Sequence, residues 1–394
     1  MQNLLLDNRY KVQKKLNESS ISYIYKAYDQ KTGNKVVIKY EKNPVGSYLQ
    51  KEVRLLNDFY SVPGFIQVLS QGSFRGKNFA VYNYLGKSLQ TKLVESNGRF
   101  SLACVLKISE EVLDKIHKFH TIGYVHNRIS PKNILTGYEL DWQSLFIVSF
   151  AYSSVFMDFD RKRHVAIKKN ALKDKNTLYS SVNIDEGYTS SRRDDLESFI
   201  YMLIHFLQGY LPWDPSKTDE NVYKIKKNIS VNELCQNCPI EFKTILQYIK
   251  NLKFNEDPDY EMLKNTFKTI AEKNGIHPTY DWKLNNDKMI AKVKYDKSQT
   301  FLIQKLMQSP ELLSSSVHRR RASKTGKFTF ELLNSERLEI ISTSRNRLES
   351  QKELSRVDTV KLIEYPEINN RKKLLELRKE FINEARSSSC SLRN

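Results

Sequence analysis

Over the first 90 residues apolar and polar positions alternate, the period of strands whose two faces meet different surroundings. Tyr10-Lys-Val12-Gln, Ile24-Tyr25-Lys-Ala27-Tyr28 and Lys35-Val36-Val37-Ile38-Lys39 predict three antiparallel strands, with a hairpin turn at Lys31-Thr-Gly33-Asn34 between the second and third. Leu49, Val53, Leu55 and Leu56, set among charges, predict a helix over Tyr48–Phe59. Two further strands flank a turn at Gly72–Asn78, the second running Phe79–Tyr84. Beyond this the period lengthens to that of a helix. Ser101 is placed as the N-cap of a helix whose apolar face is Val105, Leu106, Ile108, Val112, Leu113, Ile116 and Phe119. A small antiparallel sheet followed by a larger helical region is an α+β arrangement of two lobes.

Composition refines this picture. A chain of 394 residues suits a two-lobed body with an appendage, and 40% hydrophobic residues support a large core. No apolar stretch opens the chain, so no signal peptide is expected. The longest apolar region, Phe199 to Trp213, is interrupted by His205, Gln208 and Gly209, which predicts a buried helix rather than a membrane span. Four cysteines in so long a chain make no disulfide framework and suit a reducing compartment. Cys235 and Cys238 have C-x-x-C spacing without a second pair or a histidine cluster, so two semi-buried thiols are expected there.

The net charge of +19 is uneven: residues 286–394 hold 23 Lys/Arg against 14 Asp/Glu. A domain boundary is therefore expected near Asp281-Trp282, followed by a basic Ser/Arg/Lys-rich tail poorly suited to form its own core. In the tail, Arg319-Arg320-Arg321-Ala322-Ser323 has the form of a basophilic kinase site at Ser323. Arg371–Ala385 sets Leu374, Leu377, Phe381, Ile382 and Ala385 on one helical face, and Phe328–Leu338 is a shorter docking candidate. No nucleic-acid fingerprint is present, and no stretch interleaves aromatic with basic residues, so no specific nucleic-acid partner is expected.

A series of motifs runs in order along the chain, the Lys39 and Glu52 spacing weak by itself and the segments from Ser191 onward far more selective. Val36-Val37-Ile38-Lys39 is followed by Glu52 in Glu52-Val-Arg-Leu-Leu56; Tyr124-Val-His126-Asn-Arg128-Ile-Ser130-Pro131-Lys132-Asn133 precedes Leu145-Phe146-Ile147-Val148-Ser149-Phe150-Ala151. Ser181-Val182-Asn183, Ser191-Arg192-Arg193-Asp194-Asp195-Leu196-Glu197-Ser198, Leu211-Pro212-Trp213 and the run Glu233…Phe267 follow in order. From about Asn8 to Trp282 these resemble the casein kinase I family of protein kinases. The resemblance implies a two-lobed kinase-like fold over 8–285, a sheet lobe over about 8–86 and a helical lobe over about 87–285. It implies that Lys39 pairs the nucleotide's phosphates and Glu52 pairs Lys39. It further implies that His126 and Asp195 support the catalytic loop, and that Asn133 sits where family members hold metal.

The chemistry departs from the family's pattern. Arg128 stands where the resemblance expects the catalytic aspartate, Ser130 where it expects a lysine, and Ser149 where it expects the magnesium-binding aspartate. Arginine cannot serve as a base, since its pKa stays above about 12, and a hydroxyl is a poor replacement for the carboxylate that Mg²⁺ prefers. The glycine-rich loop reads Asn17-Glu-Ser19-Ser-Ile-Ser22, without a glycine, and is read as a polar hairpin. Arg128 is expected to pair with an acid such as Glu52 and plug the cleft; direct phosphate binding by Arg128 is the other reading. An expected anion clamp has Leu178 where the resemblance calls for arginine, though Lys224, Lys226 and Lys227 keep the neighbourhood basic. The expectation is a catalytically inactive pseudokinase acting as a scaffold, the alternative a weak or unconventional ATP-dependent serine/threonine kinase. No cofactor is expected, ATP without Mg²⁺ staying open. Protein partners with an acidic surface, a cytoplasmic location and a cytoskeletal or axonemal association are the accompanying expectations, the nucleus remaining open.

Overall fold

The computed structural model describes residues 4–282 apart from 44–47, 60–61, 159–160, 162, 170–177 and 214–218. Ser323, the helix expected over 371–385 and the 328–338 segment lie outside the described residues.

Strands β1 (Leu5–Leu6), β2 (Tyr10–Glu18), β3 (Ser22–Asp29), β4 (Lys35–Glu41), β5 (Val68–Phe74) and β6 (Lys77–Asn83) form one sheet in the order β1-β2-β3-β4-β6-β5. All its pairs are antiparallel. The inward face buries Leu6, Tyr10, Val12, Ala27, Val36, Ile38, Tyr40, Phe79 and Val81, the alternation seen in the sequence. The β3–β4 hairpin is tied by Asp29, whose carboxylate takes both Arg9 bonds at 2.8 Å and the Thr32 hydroxyl at 2.9 Å. The turn expected over Gly72–Asn78 is shorter than that. The β5–β6 turn is only Arg75-Gly76, with φ of 50° and 72°, the two-residue hairpin geometry that matches strand twist. Gly72 lies within β5 instead, because a Cβ there would meet the Phe79 ring at 2.8 Å. Strand β1 has two residues, too few to show alternation.

Helix α1 (Tyr48–Asp58) crosses from β4 to β5 and buries Leu49, Glu52, Val53, Leu55 and Leu56. After α2 (Leu89–Glu95), α3 (Leu102–Thr121) starts where expected, the Ser101 hydroxyl accepting from the Cys104 N–H at 3.2 Å. Six further helices follow: α4 (Val182–Asp185), α5 (Arg192–Gln208), α6 (Asp219–Asn228), α7 (Val231–Leu234), α8 (Ile240–Asn251) and α9 (Tyr260–Lys273). Helix α5 is buried almost all round and ends at Gly209, whose φ of 79° a side chain would oppose. Its apolar second half is thus core, and no described helix is long and apolar enough to cross a membrane. Cys235 is buried and Cys238 half-buried, both as free thiols, and burial pushes the Cys235 thiol up to about 12. The observed class is α+β, a mostly antiparallel N-terminal sheet followed by helices.

Candidate functional site

The side of β4 that carries Lys39 faces α1. Lys39 Nζ lies 2.6 Å from Glu52 Oε2, both side chains being buried. Tyr82 on β6 donates to Glu52 Oε1 at 3.1 Å, and burial, with the Glu52 charge second, pushes its phenol well above the usual range. Both oxygens of Glu52 are therefore taken by Lys39 and Tyr82. The expected Glu52–Arg128 pair is not what forms. The Arg128 guanidinium instead lies 4.2 Å above the Tyr152 ring, a cation–π geometry. Tyr152 also stands with its ring 5.7 Å from Tyr48 and its hydroxyl 3.4 Å from Ser20 Oγ. One tyrosine thus meets α1, the β2–β3 turn and Arg128.

The loop between β7 (Tyr124–Val125) and β8 (Ile134–Thr136) is fixed from below. Asp195, near the start of α5, accepts from the His126 N–H at 2.6 Å and the Asn127 N–H at 2.8 Å. His120 Nε2 completes the set at 3.0 Å, and Tyr260 O–H meets His120 Nδ1 at 2.5 Å. Burial alone would raise the Asp195 carboxyl, yet the bonds from His120 and the loop amides hold it below the usual range. His120 and His126 are both pushed down by burial and stay neutral. In His126, Nδ1 accepts from the Arg128 N–H at 3.2 Å while Nε2 donates to the Val148 carbonyl at 3.1 Å. The Asn133 amide donates to the Arg128 carbonyl at 2.8 Å. Asn127, at φ 67°, donates to the Tyr152 carbonyl at 2.8 Å. Ser130 is buried at the head of a short 3₁₀ turn, Pro131–Asn133.

Past β9 (Leu145–Ile147), Ser149 takes the left-handed conformation, φ 73° and ψ 56°, and heads the 3₁₀ turn Phe150–Tyr152. A non-glycine residue there is strained, Asn and Asp being the side chains that tolerate it best. Phe150 pins the turn into an aromatic cluster, its ring 5.3 Å from Phe119 and 5.1 Å from His126.

At the other wall, the β2–β3 turn closes on itself. The Ser19 N–H donates to the Ser22 carbonyl at 2.8 Å, and the Ser22 N–H returns to Ser19 Oγ at 3.0 Å. Asn17 Oδ1 accepts from the Glu18 N–H. Glu18 points to Lys15 at 2.8 Å and Lys42 at 2.5 Å, which hold its carboxyl down at about 2. The polar hairpin expected from Asn17, Ser19 and Ser22 is the geometry observed.

The anion-clamp neighbourhood needs correction. Lys226 is fully buried and spends its charge on Asp185 at 3.0 Å and the Ser180 carbonyl at 2.9 Å. Lys227 is paired with Glu186 at 2.9 Å. The Leu178 carbonyl accepts from the Trp213 indole at 2.7 Å. Lys226 and Lys227 are thus part of a closed structural network. Nearby, the Ser181 hydroxyl donates to Asp194 at 2.6 Å, and the same carboxylate caps α5 through the Ser191 N–H at 2.8 Å.

The sequence brought Lys39, Glu52, His126, Asn133 and Asp195 into view; the fold joins Lys39 to Glu52, and ties Asp195 to the loop that carries His126 and Asn133. It missed Tyr82, Tyr152, His120 and Tyr260. Tyr82 is brought in by strand register, since it lies opposite Val37 and so shares the Lys39 face; the others are brought in by packing. Chemically, the cleft offers a buried ammonium–carboxylate pair, a guanidinium on an aromatic ring and a serine hydroxyl. Among the described residues no three His, Cys, Asp or Glu side chains gather to hold a metal. No protein-family model matches the chain.

Proposed function

We propose that this chain is a casein kinase I-like pseudokinase, a two-lobed kinase-like body retained as a scaffold within a larger assembly. One observation carries the reading: Asp195 holds the His126–Asn127 backbone with every donor matched, while the positions the loop should present for chemistry are Arg128 and Ser149. A loop so firmly supported, without a carboxylate to accept a proton or bind Mg²⁺, is a shape rather than a reaction centre. Losing a general base alone typically costs on the order of 10²–10⁴ in rate. Mg²⁺ does not fit the donors present, because a serine hydroxyl at 149 and the Asn133 amide, already donating to the Arg128 carbonyl, make a neutral site. No step is derived through that metal.

A second reading rests on the Lys39–Glu52 pair, which is fully formed at 2.6 Å. It supports ATP binding without Mg²⁺, with Lys39 as the phosphate cation, and a weak, unconventional kinase activity as its furthest extension. Tyr152 between Ser20 and Arg128 opposes it by occupying the region where phosphates would lie. The basic tail supports an acidic protein surface as partner, with cytoskeletal association as one setting.

A thermal-shift titration with ATP, with and without Mg²⁺, separates the readings. A ligand at 100 times its Kd adds about 2.7 kcal/mol of stability. No Mg²⁺-dependent shift is expected; a shift that requires Mg²⁺ and vanishes in Lys39→Met would overturn the pseudokinase reading. For the scaffold claim, partner capture should persist in Lys39→Met and fail in a chain ending at Lys283.

A further inference from the structure

Along the chain aromatic and basic residues alternate only in short pieces, as in Arg9-Tyr10-Lys11 and Tyr25-Lys26-Ala27-Tyr28, but the strand register extends the pattern across the sheet. Lys11 on β2 lies opposite Tyr28 on β3, and Tyr28 lies opposite Lys35 on β4. Val36 faces Asn83, which brings Tyr84 level with Lys35. Paired residues of an antiparallel sheet share a face, so one row across the sheet reads Lys, Tyr, Lys, Tyr. The next row on that face sets Lys14 opposite Lys26. Lys26 Nζ lies 5.5 Å from the Tyr28 ring and 5.9 Å from the Tyr84 ring. Tyr138 meets Tyr84 edge-on at 4.9 Å and receives the Lys35 ammonium on its hydroxyl.

Two things single out this face. None of Lys11, Lys14, Lys26 and Lys35 forms an ion pair with a carboxylate among the described residues. On the α3 and α9 surface, by contrast, Lys107, Lys115, Lys118, Lys264 and Lys268 are each paired with an acid one turn away. The uncompensated lysines are also spaced by phenol rings. Phosphates spaced along a strand meet ammonium groups, and unstacked bases meet rings, the combination single-strand binding requires. An acidic peptide would use the lysines and leave the rings idle. A duplex, with its bases stacked inward, would do the same.

We infer that this face of the N-terminal sheet, Lys11–Tyr28–Lys35–Tyr84 with Lys14, Lys26 and Tyr138, binds single-stranded nucleic acid. The phosphates pair with the lysines and bases stack on Tyr28 and Tyr84. Lys35 and Tyr84 lie on the face of the sheet that carries Lys39 and Tyr82, so a strand seated here and a nucleotide held by Lys39 would share one side of the sheet.

The test is fluorescence anisotropy of the full chain with 5′-labelled oligo(U) and oligo(dT) 20-mers, read against a labelled poly-glutamate 20-mer. The double variant Tyr28→Ala/Tyr84→Ala leaves every charge, including those of the basic tail, unchanged. It should bind the oligonucleotides about tenfold more weakly or worse, and Tyr28→Phe/Tyr84→Phe should stay within about twofold of the parent. If the alanine variant fails to fold, the exposed pair Lys11→Gln/Lys14→Gln decides: the log–log salt slope should fall by about 1.4, roughly 0.7 per lost phosphate contact. A difference between oligo(U) and oligo(dT) names the preferred sugar. Oligonucleotide binding that is absent, or that ignores both sets of substitutions, overturns the inference. So does poly-glutamate binding of equal strength with the same lysine dependence, which would assign the face to an acidic peptide.

Discussion

Beneath the 126–133 loop, Asp195 meets three donors at 2.6, 2.8 and 3.0 Å, and His120 passes the network on to Tyr260. Above the same loop, Arg128 lies on a tyrosine ring and Ser149 sits in a backbone conformation that suits other residues better. The two regions are a few residues apart in the chain, yet one has Asp195 matched by three donors and the other presents an arginine and a strained serine. On the proposed reading, what the fold preserves here is the position of a backbone. A buried polar network costs several kcal/mol when one member is lost, so it persists only where the shape it fixes is used.

The comparison is broken most forcefully at Asp195. Asp195→Ala strands the His126 and Asn127 amides and the His120 imidazole in the interior, and a loss of roughly 4 kcal/mol or more in urea unfolding is expected. A loss under about 1 kcal/mol would mean that the network is ornamental. Lys39→Met comes next. It leaves the Glu52 carboxylate buried with only the Tyr82 hydroxyl, and about 3 kcal/mol should be lost. Lys39→Met/Glu52→Leu should recover most of that, because an apolar pair of similar volume removes the orphaned charge. Failure to recover would mark the pair as more than an internal tie.

Acid should act through the histidines. Burial lowers the His120 and His126 pKa values below the ordinary 6.5 or so, so the unfolded chain binds protons that the folded chain refuses. Stability therefore rises with pH across the window from their folded values up to about 6.5, and falls as pH drops through it. Each fully titrating histidine contributes at most about 1.4 kcal/mol per pH unit. Asp195, with its pKa lowered, acts in the same direction at lower pH: its contribution is complete above about 3.9 and is lost as pH falls from there through its folded value. Urea midpoints at pH 7.5 and 5.5 should differ clearly; equal midpoints would contradict neutral buried imidazoles. The smallest effect belongs to the strained side. Ser149→Asn should gain a few tenths of a kcal/mol by easing the left-handed backbone, read as a slightly higher Tm, whereas a marked loss would show that the serine hydroxyl is structurally engaged.

Most of the sheet and the start of α3 were legible because they depend on periods and caps within a few residues: Val36-Val37-Ile38-Lys39 alternates, and Ser101 caps its own helix. The Lys39–Glu52 pairing was legible only through the resemblance, since a lysine and a glutamate thirteen residues apart are common. Glu52 was nevertheless assigned the wrong second partner. Nothing in the sequence shows that Tyr82, 30 residues on, reaches Glu52, or that Tyr152 spans to Ser20 across 132 residues. Lys226 read as part of a basic surface because its partner Asp185 lies 41 residues earlier, on another helix. The Lys–Tyr rows of the sheet were hidden for the same reason, since register rather than sequence order makes their neighbours.

On the proposed reading the 126–133 loop is kept for its shape and carries no phosphoryl-transfer chemistry. Phosphate incorporation from γ-labelled ATP, into casein and into the chain itself, tests it most directly when wild type is run beside Lys39→Met and Arg128→Asp/Ser149→Asp with Mg²⁺ present. The account predicts wild-type incorporation no higher than that of Lys39→Met. It also predicts only feeble activity from the double variant, because the turn at Asn17–Ser22 lacks glycine and Ser130 still stands where a lysine is needed. Mg²⁺-dependent incorporation by the wild type that Lys39→Met abolishes would contradict it.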